Sequence, residues 1–332
     1  MKELYEQFWK EVKQSQKILV IGHRKPDGDA LGSMCAMKIW LETLGKDIKL
    51  ACVDKASKRY RFLPHVDEIE KDINPLDHDI VLILDCGARY MTDFHVDHPE
   101  IVAKGGLSGN GPLIVNIDHH ASNDNFGHIN IVDDKSASAT MIIYDIFKYL
   151  DVEITSDIAT CLITGLYNDT GSFMHSNTSG EVYAVASELL SKGAKISPII
   201  KSLFRSNSIP ALRLWGKAFL NARVTDDNFI LSVMRKGDVC SDSENGEQLS
   251  GAVDYLNMVP DVDFALLVRE EGKNVKGSFR TRRDDVDLSE IAKRFGGGGH
   301  PKAAGFSVPG KIKEEVHYRI DSDELESQPL NL

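Results

Sequence analysis

The sequence lacks long apolar runs and a recognisable leader. Nowhere in its 332 residues does a stretch approach the ~20 consecutive apolar residues that a bilayer-spanning helix needs. The opening segment, MKELYEQFWKEVKQ, mixes charged with apolar residues and has no apolar core of the kind that a secretory signal requires. We therefore expect a cytoplasmic protein with no membrane partner.

Paired cysteines are also absent. The five cysteines form no C-x-x-C motif, and several lie inside apolar runs, where a thiol is simply a small buried side chain. They are Cys35, Cys52, Cys86, Cys161 and Cys240. This pattern indicates a reducing compartment and argues against a zinc site built on cysteine.

Basic residues are in deficit. Lysine and arginine number 39 against 50 aspartates and glutamates, which gives a formal net charge of -11. A chain with this charge repels a long phosphate backbone overall. We therefore exclude long duplex nucleic acid as a partner and expect any nucleotide substrate to be short and bound locally.

The first part of the chain alternates short β-rich runs with amphipathic stretches. Strands are predicted at KILVIGH, DIKLACV, DIVLILDCG and PLIVNIDHH, and helices at ALGSMCAMKIWLETLG, SATMIIYDIFKYLD and SDIATCLITGLYND. The last two strands are largely apolar, which is typical of parallel strands covered on both faces. This pattern predicts an α/β domain with a doubly wound, mainly parallel sheet.

The second part of the chain has a different pattern. The stretch ISPIIKSLFRSNSIPALRLWGKAFLNA predicts helices interrupted by Pro210. Three shorter strands follow, NFILSVM, DFALLVRE and VKGSFRTR, and then a helix, DLSEIAKRFG. Since the length allows two domains, we predict a catalytic domain at residues 1–192, a helical connector at 193–222 and a smaller α+β substrate-binding domain at 223–332.

Side chains that bind metals follow three of the predicted strands. They are His23, Asp27 and Asp29 after the first strand, Asp85 after the next apolar strand, and Asp118, His119 and His120 after the last. Because the carboxyl ends of parallel strands meet at one edge of a sheet, we expect these side chains to converge there. Asp169, at the end of a predicted helix, can approach the same edge. Any one of these aspartates alone is more typical of a cap or a turn.

The set as a whole predicts a metal centre. Carboxylates at one point repel each other and raise their own pKa values unless positive charge lies between them. Four aspartates carry about four negative charges at neutral pH, which matches two divalent cations. Oxygen and nitrogen ligands without thiolate favour manganese, with magnesium, cobalt or iron as rivals. The prediction is a two-metal hydrolytic centre that polarises a phosphoryl oxygen and activates water.

Six ordered motifs in the sequence resemble those of the DHH phosphoesterase superfamily. HRKPDGDALGS, LDCGA, IDHH and YNDTGSF resemble the successive motifs of its catalytic domain, and the triplet that names the superfamily stands at residues 118–120. VKGSFRTR and FGGGGHPKAAGF resemble its DHH-associated C-terminal domain, which binds substrate. The resemblance covers residues 17–308 and implies a two-domain hydrolase.

Carried over by position, the resemblance implies two metal sites that share one aspartate. The ligands of the first site would be His23, Asp27 and Asp85, and those of the second Asp29, Asp85, His119 and Asp169.

The resemblance implies catalytic roles for three residues of these motifs. Asp85 would bridge the two metals. Asp118 would orient a neighbouring residue instead of binding metal. His120 would contact the substrate phosphate or protonate the leaving oxygen.

In the second domain the resemblance implies a grip on phosphate and nucleotide. Glycines let backbone N–H groups approach an anion closely, and HPKAAGF would begin a helix whose amino end favours phosphate. The planar fork of arginine can hold two phosphate oxygens. The predicted substrate-binding residues are Ser278, Arg280, Arg282, Gly297, Gly298, Gly299 and His300.

Within the superfamily, the chain looks most similar to the NrnA-like type, which combines both domains without further ones. The implied activity is metal-dependent hydrolysis of short oligoribonucleotides to mononucleotides and of 3'-phosphoadenosine 5'-phosphate to AMP. A phosphodiesterase for cyclic di-AMP or pApA shares every motif and stays open as an alternative. A pyrophosphatase and a non-catalytic nucleotide-binding module are weaker alternatives. The expected partners are short RNA or a small nucleotide, with a homodimer possible.

Overall fold

The computed structural model of the chain describes residues 1–94, 96–98, 111–204, 208–238, 249, 251–315, 318–319 and 329–330. The chain divides into two compact units, Met1–Ser206 and Asn207–Leu332. Each unit has its own hydrophobic clusters. In the described residues, no helix is both long enough and apolar enough to cross a membrane.

The first unit is built on a parallel sheet whose strands follow the order β2-β1-β3-β4-β5. Its strands are β1 (Lys17–Ile21), β2 (Asp47–Ala51), β3 (Ile80–Leu84), β4 (Leu113–Asp118) and β5 (Ile129–Val132). Its helices are α1 (Lys2–Gln14), α2 (Gly28–Thr43), α3 (Ala139–Tyr149), α4 (Ser156–Asp169), α5 (Gly180–Ser191) and α6 (Ile196–Phe204). The parallel α/β architecture predicted for this part of the chain is confirmed.

Both faces of this sheet are buried, which explains why its central strand β3 is apolar throughout. Along β3, Ile80 and Leu82 face a large core that includes residues of α2, α3 and α4. The intervening Val81 and Ile83 face a smaller cluster that includes Phe94 and residues of the loops. A strand covered on both sides leaves polar groups only at its ends. The polar residues after β1, β3 and β4 therefore collect at the carboxyl edge of the sheet.

The second unit is a smaller mixed sheet with the strand order β10-β11-β9-β8-β7-β6. Its strands are β6 (Ala222–Val224), β7 (Ile230–Met234), β8 (Ala265–Glu271), β9 (Asn274–Arg280), β10 (Gly298–His300) and β11 (Ala303–Pro309), followed by the short pair β12 (Tyr318–Arg319) and β13 (Pro329–Leu330). Its helices are α7 (Ile209–Leu220), α8 (Ala252–Leu256) and α9 (Leu288–Lys293). The predicted α+β character of this part is confirmed.

Two local predictions in this region are wrong. HPKAAGF does not begin a helix, because it lies in the antiparallel hairpin of β10 and β11. Gly299 has a φ of 139°, and a side chain at Gly297 would overlap the backbone of β11, so these glycines permit a tight hairpin. Pro210 does not interrupt a helix either. It lies in the first turn of α7, where its missing N–H leaves no hydrogen bond unmade.

Candidate metal centre

Each predicted ligand lies at the end of a strand or helix of the first unit. His23 follows β1, and Asp85 follows β3. Asp27 caps α2, since its Oδ1 accepts hydrogen bonds from the backbone N–H groups of Asp29 and Ala30 at 2.9 and 3.2 Å. His119 follows β4 directly, and Asp169 is the last residue of α4. Separate elements therefore deliver these side chains to one edge of the sheet.

One group of potential ligands surrounds the imidazole of His23. His23 Nε2 lies 3.4 Å from Asp85 Oδ2 and 3.8 Å from Asp27 Oδ1. Ligand atoms of the three residues all lie within 4.8 Å of one another. This is the set of ligands predicted for the first metal.

A second group surrounds the imidazole of His119. His119 Nε2 lies 3.1 Å from Asp169 Oδ2, 3.6 Å from Asp85 Oδ1 and 4.0 Å from Asp29 Oδ2. The ligand atoms of Asp29, Asp85 and His119 also fall within 4.8 Å of one another. Asp85 belongs to both groups and offers a different oxygen to each. The structure thus brings together all six residues predicted to bind metal.

Asp29 is fully buried and is held by the first turn of α3. Its carboxylate accepts hydrogen bonds from the N–H groups of Ala139 at 2.6 Å and Thr140 at 3.0 Å, and from the Thr140 hydroxyl at 2.7 Å. A helix N-terminus favours negative charge, so α3 stabilises the ionised form. Burial nevertheless raises the pKa of Asp29, and the nearby charges of Asp169 and Asp85 add to the effect. The positive charge of His119, whose Nε2 lies 4.0 Å from Asp29 Oδ2, opposes this rise without cancelling it.

The shared aspartate has the clearest features of a metal ligand. Asp85 has a φ of 56°, in the left-handed region, and its side chain is 4% exposed. Among the described residues its buried Oδ1 has no hydrogen-bond partner. Burial acts to raise the pKa of Asp85, but the nearby imidazoles of His119 and His23 outweigh it and hold the pKa low. An ionised, buried and unsatisfied oxygen fits a metal ligand.

The pKa of Asp169, a third carboxyl group beside His119, is shifted upward, in the opposite direction to that of Asp85. Burial raises the pKa of Asp169 to about 6; the hydrogen bond with His119 opposes this rise, and the charges of Asp27 and Asp85 add to it. Like charges at close range have this effect unless a cation separates them. The donor set and its charge therefore fit divalent cations.

Asp118 is buried and orients the neighbouring imidazole of His120. Its Oδ1 accepts a hydrogen bond from His120 Nδ1 at 2.7 Å, and its Oδ2 accepts one from Asn123 Nδ2 at 2.6 Å. His120 Nδ1 lies 3.8 Å from Asp85 Oδ1, so the imidazole borders the candidate metal ligands. Burial lowers the pKa of His120, but Asp118 and Asp85 outweigh it and raise the pKa.

Sequence reasoning missed the residues that hold the candidate ligands and Asp118 in place. Thr140 fixes Asp29, Asn123 fixes Asp118, and Asn168 donates to both Asp27 and Asp169. Asn168 precedes the predicted ligand Asp169 in the motif YNDTGSF, and this position is the one sequence feature that indicates a role at the site. The other two have no local pattern that points to the site.

The substrate-binding residues predicted in the second unit lie around the edge formed by β9, β11 and β10. In the sheet register, Gly305 pairs with both Ser278 and Gly298, and Ala303 pairs with both Arg280 and His300. Side chains alternate along a strand, so residues two apart lie on the same face. Ser278, Gly305 and Gly298 therefore share one face of the sheet with Arg280, Ala303 and His300.

Arg280 already has partners within the chain, and Arg282, Gly297 and Gly299 lie outside this shared face. Arg280 Nε donates to Asp254 Oδ1 at 2.6 Å, and its Nη1 donates to the Phe279 carbonyl at 2.9 Å. Arg282 lies exposed beyond the end of β9. The N–H of Gly297 donates to the Ala292 carbonyl at 3.0 Å, so this group is already used by the chain. Gly299 lies between Gly298 and His300 along β10 and therefore belongs to the opposite face of the sheet. The roles of all seven residues stay predictions.

Comparison with known proteins agrees with this geometry. The family model described as DHH family, N-terminal domain matches residues 17–166, and the DHHA1 domain model matches residues 226–321. A protein of Thermus thermophilus named bifunctional oligoribonuclease and PAP phosphatase NrnA is 32% identical over 304 residues, which cover 91% of this chain and 87% of that protein. The resemblance stated from the motifs is confirmed.

Solved structures share the fold. The crystal structure of an exopolyphosphatase-related protein from Bacteroides fragilis superposes with a TM-score of 0.84 at 24% identity, covering 94% of this chain and 93% of that one. RecJ from Thermus thermophilus, solved in complex with Mn2+, superposes with a TM-score of 0.51 at 14% identity, covering 92% of this chain and 51% of that one.

Proposed function

The chain belongs to the DHH family, and from that premise we propose that it hydrolyses short oligoribonucleotides to mononucleotides and 3'-phosphoadenosine 5'-phosphate to AMP. The observation that carries this proposal is the convergence of three aspartates and two histidines around Asp85. Similarity to an NrnA protein over nine-tenths of the chain supports the choice of substrates.

We propose two cation sites that share Asp85. His23, Asp27 and Asp85 would hold one cation, and Asp29, Asp85, His119 and Asp169 the other. Ligands of oxygen and imidazole nitrogen without sulfur favour manganese, with magnesium or cobalt as substitutes. When bound, such a pair lowers the pKa of water and stabilises negative charge on phosphoryl oxygens.

We propose His120 as the general acid, with Asp118 as the residue that orients it. Because His120 Nδ1 is bonded to Asp118, the proton for the leaving oxygen would come from Nε2. The hydrogen bond to the Asp118 carboxylate stabilises the protonated imidazole, as this role requires. Asn123 holds the second oxygen of Asp118 and so limits rotation of the pair.

The second unit would bind the substrate through Ser278, Arg280, Arg282, Gly297, Gly298, Gly299 and His300. The bonds of Arg280 to Asp254 and to the Phe279 carbonyl orient its guanidinium before substrate arrives. Such preorganisation reduces the entropy lost on binding a phosphate. We assign catalysis to residues 1–192, the connector to 193–222 and substrate binding to 223–332. We also propose action in the cytoplasm on short RNA or small nucleotides, with a homodimer as the candidate assembly.

The test is release of mononucleotide and phosphate by the purified chain with manganese. Five substrates are compared in parallel: pApA, a five-residue RNA, 3'-phosphoadenosine 5'-phosphate, cyclic di-AMP and pyrophosphate. We expect turnover of the first three and loss of all activity with a chelator. The Asp85→Asn variant, purified identically, controls for contaminating nucleases.

The other outcomes identify the alternatives. Preference for cyclic di-AMP would keep the metal site but assign the chain to cyclic dinucleotide turnover. Preference for pyrophosphate would replace the nucleotide substrates altogether. Absence of metal-dependent turnover on every phosphoester would contradict the proposal and favour a nucleotide-binding module.

A further inference from the structure

A single amide bridges carboxylates that belong to the two proposed cation sites. Asn168, in the last turn of α4, donates from Nδ2 to Asp27 Oδ2 at 3.2 Å and to Asp169 Oδ1 at 3.1 Å. An asparagine amide nitrogen has two hydrogens, so one is available for each carboxylate. Asn168 therefore links a proposed ligand of the first cation to a proposed ligand of the second.

The orientation of this amide is set by a buried tyrosine. Tyr60 is 5% exposed, and its hydroxyl donates to Asn168 Oδ1 at 3.1 Å. Burial raises the pKa of Tyr60, and the charge of Asp27 adds to the effect, so the phenol stays protonated and acts as a donor. A donor on this side requires the carbonyl end of the amide to face Tyr60. The NH2 end must then face the carboxylates.

Close packing fixes the positions of both residues. A Cβ added at Gly28 would lie 2.9 Å from the Cβ of Asn168, so glycine lets the start of α2 approach the end of α4. The segment that carries Tyr60 is a short 3-10 helix, Lys58–Tyr60. It is tied to α6, because the Ser202 hydroxyl donates to the Arg59 carbonyl. Tyr60 thus rests on a supported element.

We propose that Tyr60 and Asn168 are positioning residues that hold the Asp27 and Asp169 carboxylates at a fixed separation and so set the affinity of both cation sites together. The inference rests on the proposed function, since Asp27 and Asp169 are proposed ligands of different cations. The physical reason is that two neighbouring carboxylates repel each other, and a shared donor stabilises both in one arrangement. Neither residue touches the cation or the substrate in this assignment.

The test is a calorimetric titration of metal-free protein with manganese chloride. Asn168→Ala removes the shared donor, and we expect binding of both ions to weaken by roughly 10- to 100-fold, the usual cost of losing a residue that orients metal ligands. Tyr60→Phe removes one hydroxyl and keeps the ring, and we expect a weakening of roughly 3- to 10-fold. Tyr144→Phe is the matched control, because the Tyr144 hydroxyl bonds to Glu188 outside the ligand set. It should bind manganese like the wild type.

Electron paramagnetic resonance gives a second readout that does not depend on turnover. Two manganese ions that share a ligand should give a spin-coupled signal in the wild type. At the same ion concentration, Asn168→Ala should show a larger share of isolated or free Mn2+. Circular dichroism of each variant checks its fold, and Tyr60→Phe keeps the test informative if Asn168→Ala does not fold.

The outcomes separate this inference from the function on which it rests. If the wild type binds two ions and both variants match it in affinity and spectrum, the positioning role is wrong and the proposed function stands. If only one of the two ions weakens in the variants, the claim that both sites are set together is wrong. If the wild type itself binds fewer than two ions, the proposed two-metal function is contradicted, and this inference falls with it.

Discussion

At the scale of single residues, the candidate site depends on one aspartate more than on any other. Asp85 offers one oxygen to the group around His23 and the other to the group around His119. Its positive φ turns the chain sharply at the end of β3, in a region that aspartate and asparagine adopt more readily than most residues. Replacement by asparagine therefore changes the charge with little change in backbone preference.

Asp85→Asn should lower kcat/KM on a dinucleotide by more than roughly 100-fold, since it removes a shared ligand and not merely a residue that orients one. The measurement is steady-state hydrolysis of pApA with manganese, next to circular dichroism of both proteins. Turnover within tenfold of the wild type would remove Asp85 from its bridging position.

Residue type and position along the chain predicted the candidate ligands, whereas the residues that support them could not be predicted. Asp85 and His119 stand directly after strands, and His23 stands two residues after one. A parallel sheet brings such positions together whatever its details. Thr140 lies more than a hundred residues from Asp29, and the two meet only because α3 begins beside α2. Hydrogen bonds across such sequence separations depend on helix packing, which composition and periodicity do not specify.

At the scale of elements, glycines set how closely the helices that carry the site approach each other. A side chain at Gly32 of α2 would overlap the Cys161 carbonyl of α4, and one at Gly165 of α4 would overlap the Asp29 carboxylate and Thr140. These contacts leave room for a buried carboxylate between α2, α3 and α4. Glycine in a helix interior is normally unfavourable, so its presence at Gly165 has a steric reason.

Gly165→Ala should destabilise the protein by about 1–3 kcal/mol, because the added methyl group overpacks the space around Asp29. Gly216→Ala is the matched control, since Gly216 lies inside α7 and, among the described residues beyond its own stretch of helix, no atom lies within 4 Å of an added Cβ. There the same substitution should be neutral or should stabilise by about 0.5–1 kcal/mol. Urea unfolding of both variants measures the contrast, and equal effects at the two positions would contradict the steric explanation.

Helix α3 carries a carboxyl group, that of Asp145, whose pKa lies above its usual range. Burial raises the pKa of Asp145 to about 6, and the charges of Glu181 and Asp133 contribute. The folded state therefore binds a proton more tightly than the unfolded state does, and this contribution to stability is lost as pH rises from about 4 through 6. Above that range an ionised, half-buried Asp145 destabilises the fold.

Asp145→Asn should therefore stabilise the protein at pH 8 by roughly 1 kcal/mol after allowance for solvent screening, with a smaller gain at pH 5. Chemical unfolding of wild type and variant at both pH values gives the difference. Glu181→Gln should produce part of the same gain, because it removes one of the charges that raise this pKa. A gain independent of pH would show that titration of Asp145 is not its cause.

The elements that the sequence predicts correctly are those whose structure depends on burial of their own residues, whereas the incorrectly predicted segment depends on pairing with a distant strand. The largely apolar runs of β3 and β4 reflect burial on both faces, so both strands can be predicted from the sequence alone. The resemblance predicts the start of a helix at HPKAAGF, yet this segment lies in the hairpin of β10 and β11, and β11 pairs with β9 along seven residues. A run of glycines is compatible with either structure, and here pairing with a distant strand decides between them.

At the scale of the whole molecule, negative charge and metal binding are connected. The chain carries a formal charge of -11, and its first unit gathers buried aspartates at one edge of a sheet. Without cations, this concentration of charge costs stability in the first unit alone. The second unit has separate hydrophobic clusters, around Leu267 and around Phe279, and in the assignment proposed above none of the metal ligands.

Manganese should therefore raise the unfolding temperature of the first unit much more than that of the second. Binding to the folded state alone stabilises by about 2.7 kcal/mol when the free ion exceeds its dissociation constant 100-fold. The three tryptophans allow the units to be followed separately, because Trp9 and Trp40 lie in the first unit and Trp215 in the second. In a Trp215→Phe variant, tryptophan fluorescence reports the first unit only, and its midpoint should rise with manganese and fall with a chelator. Asp85→Asn in the same background should lose most of this response. A rise that persists undiminished in Asp85→Asn would mean that manganese stabilises the protein elsewhere, and that the edge of the parallel sheet is not where it binds.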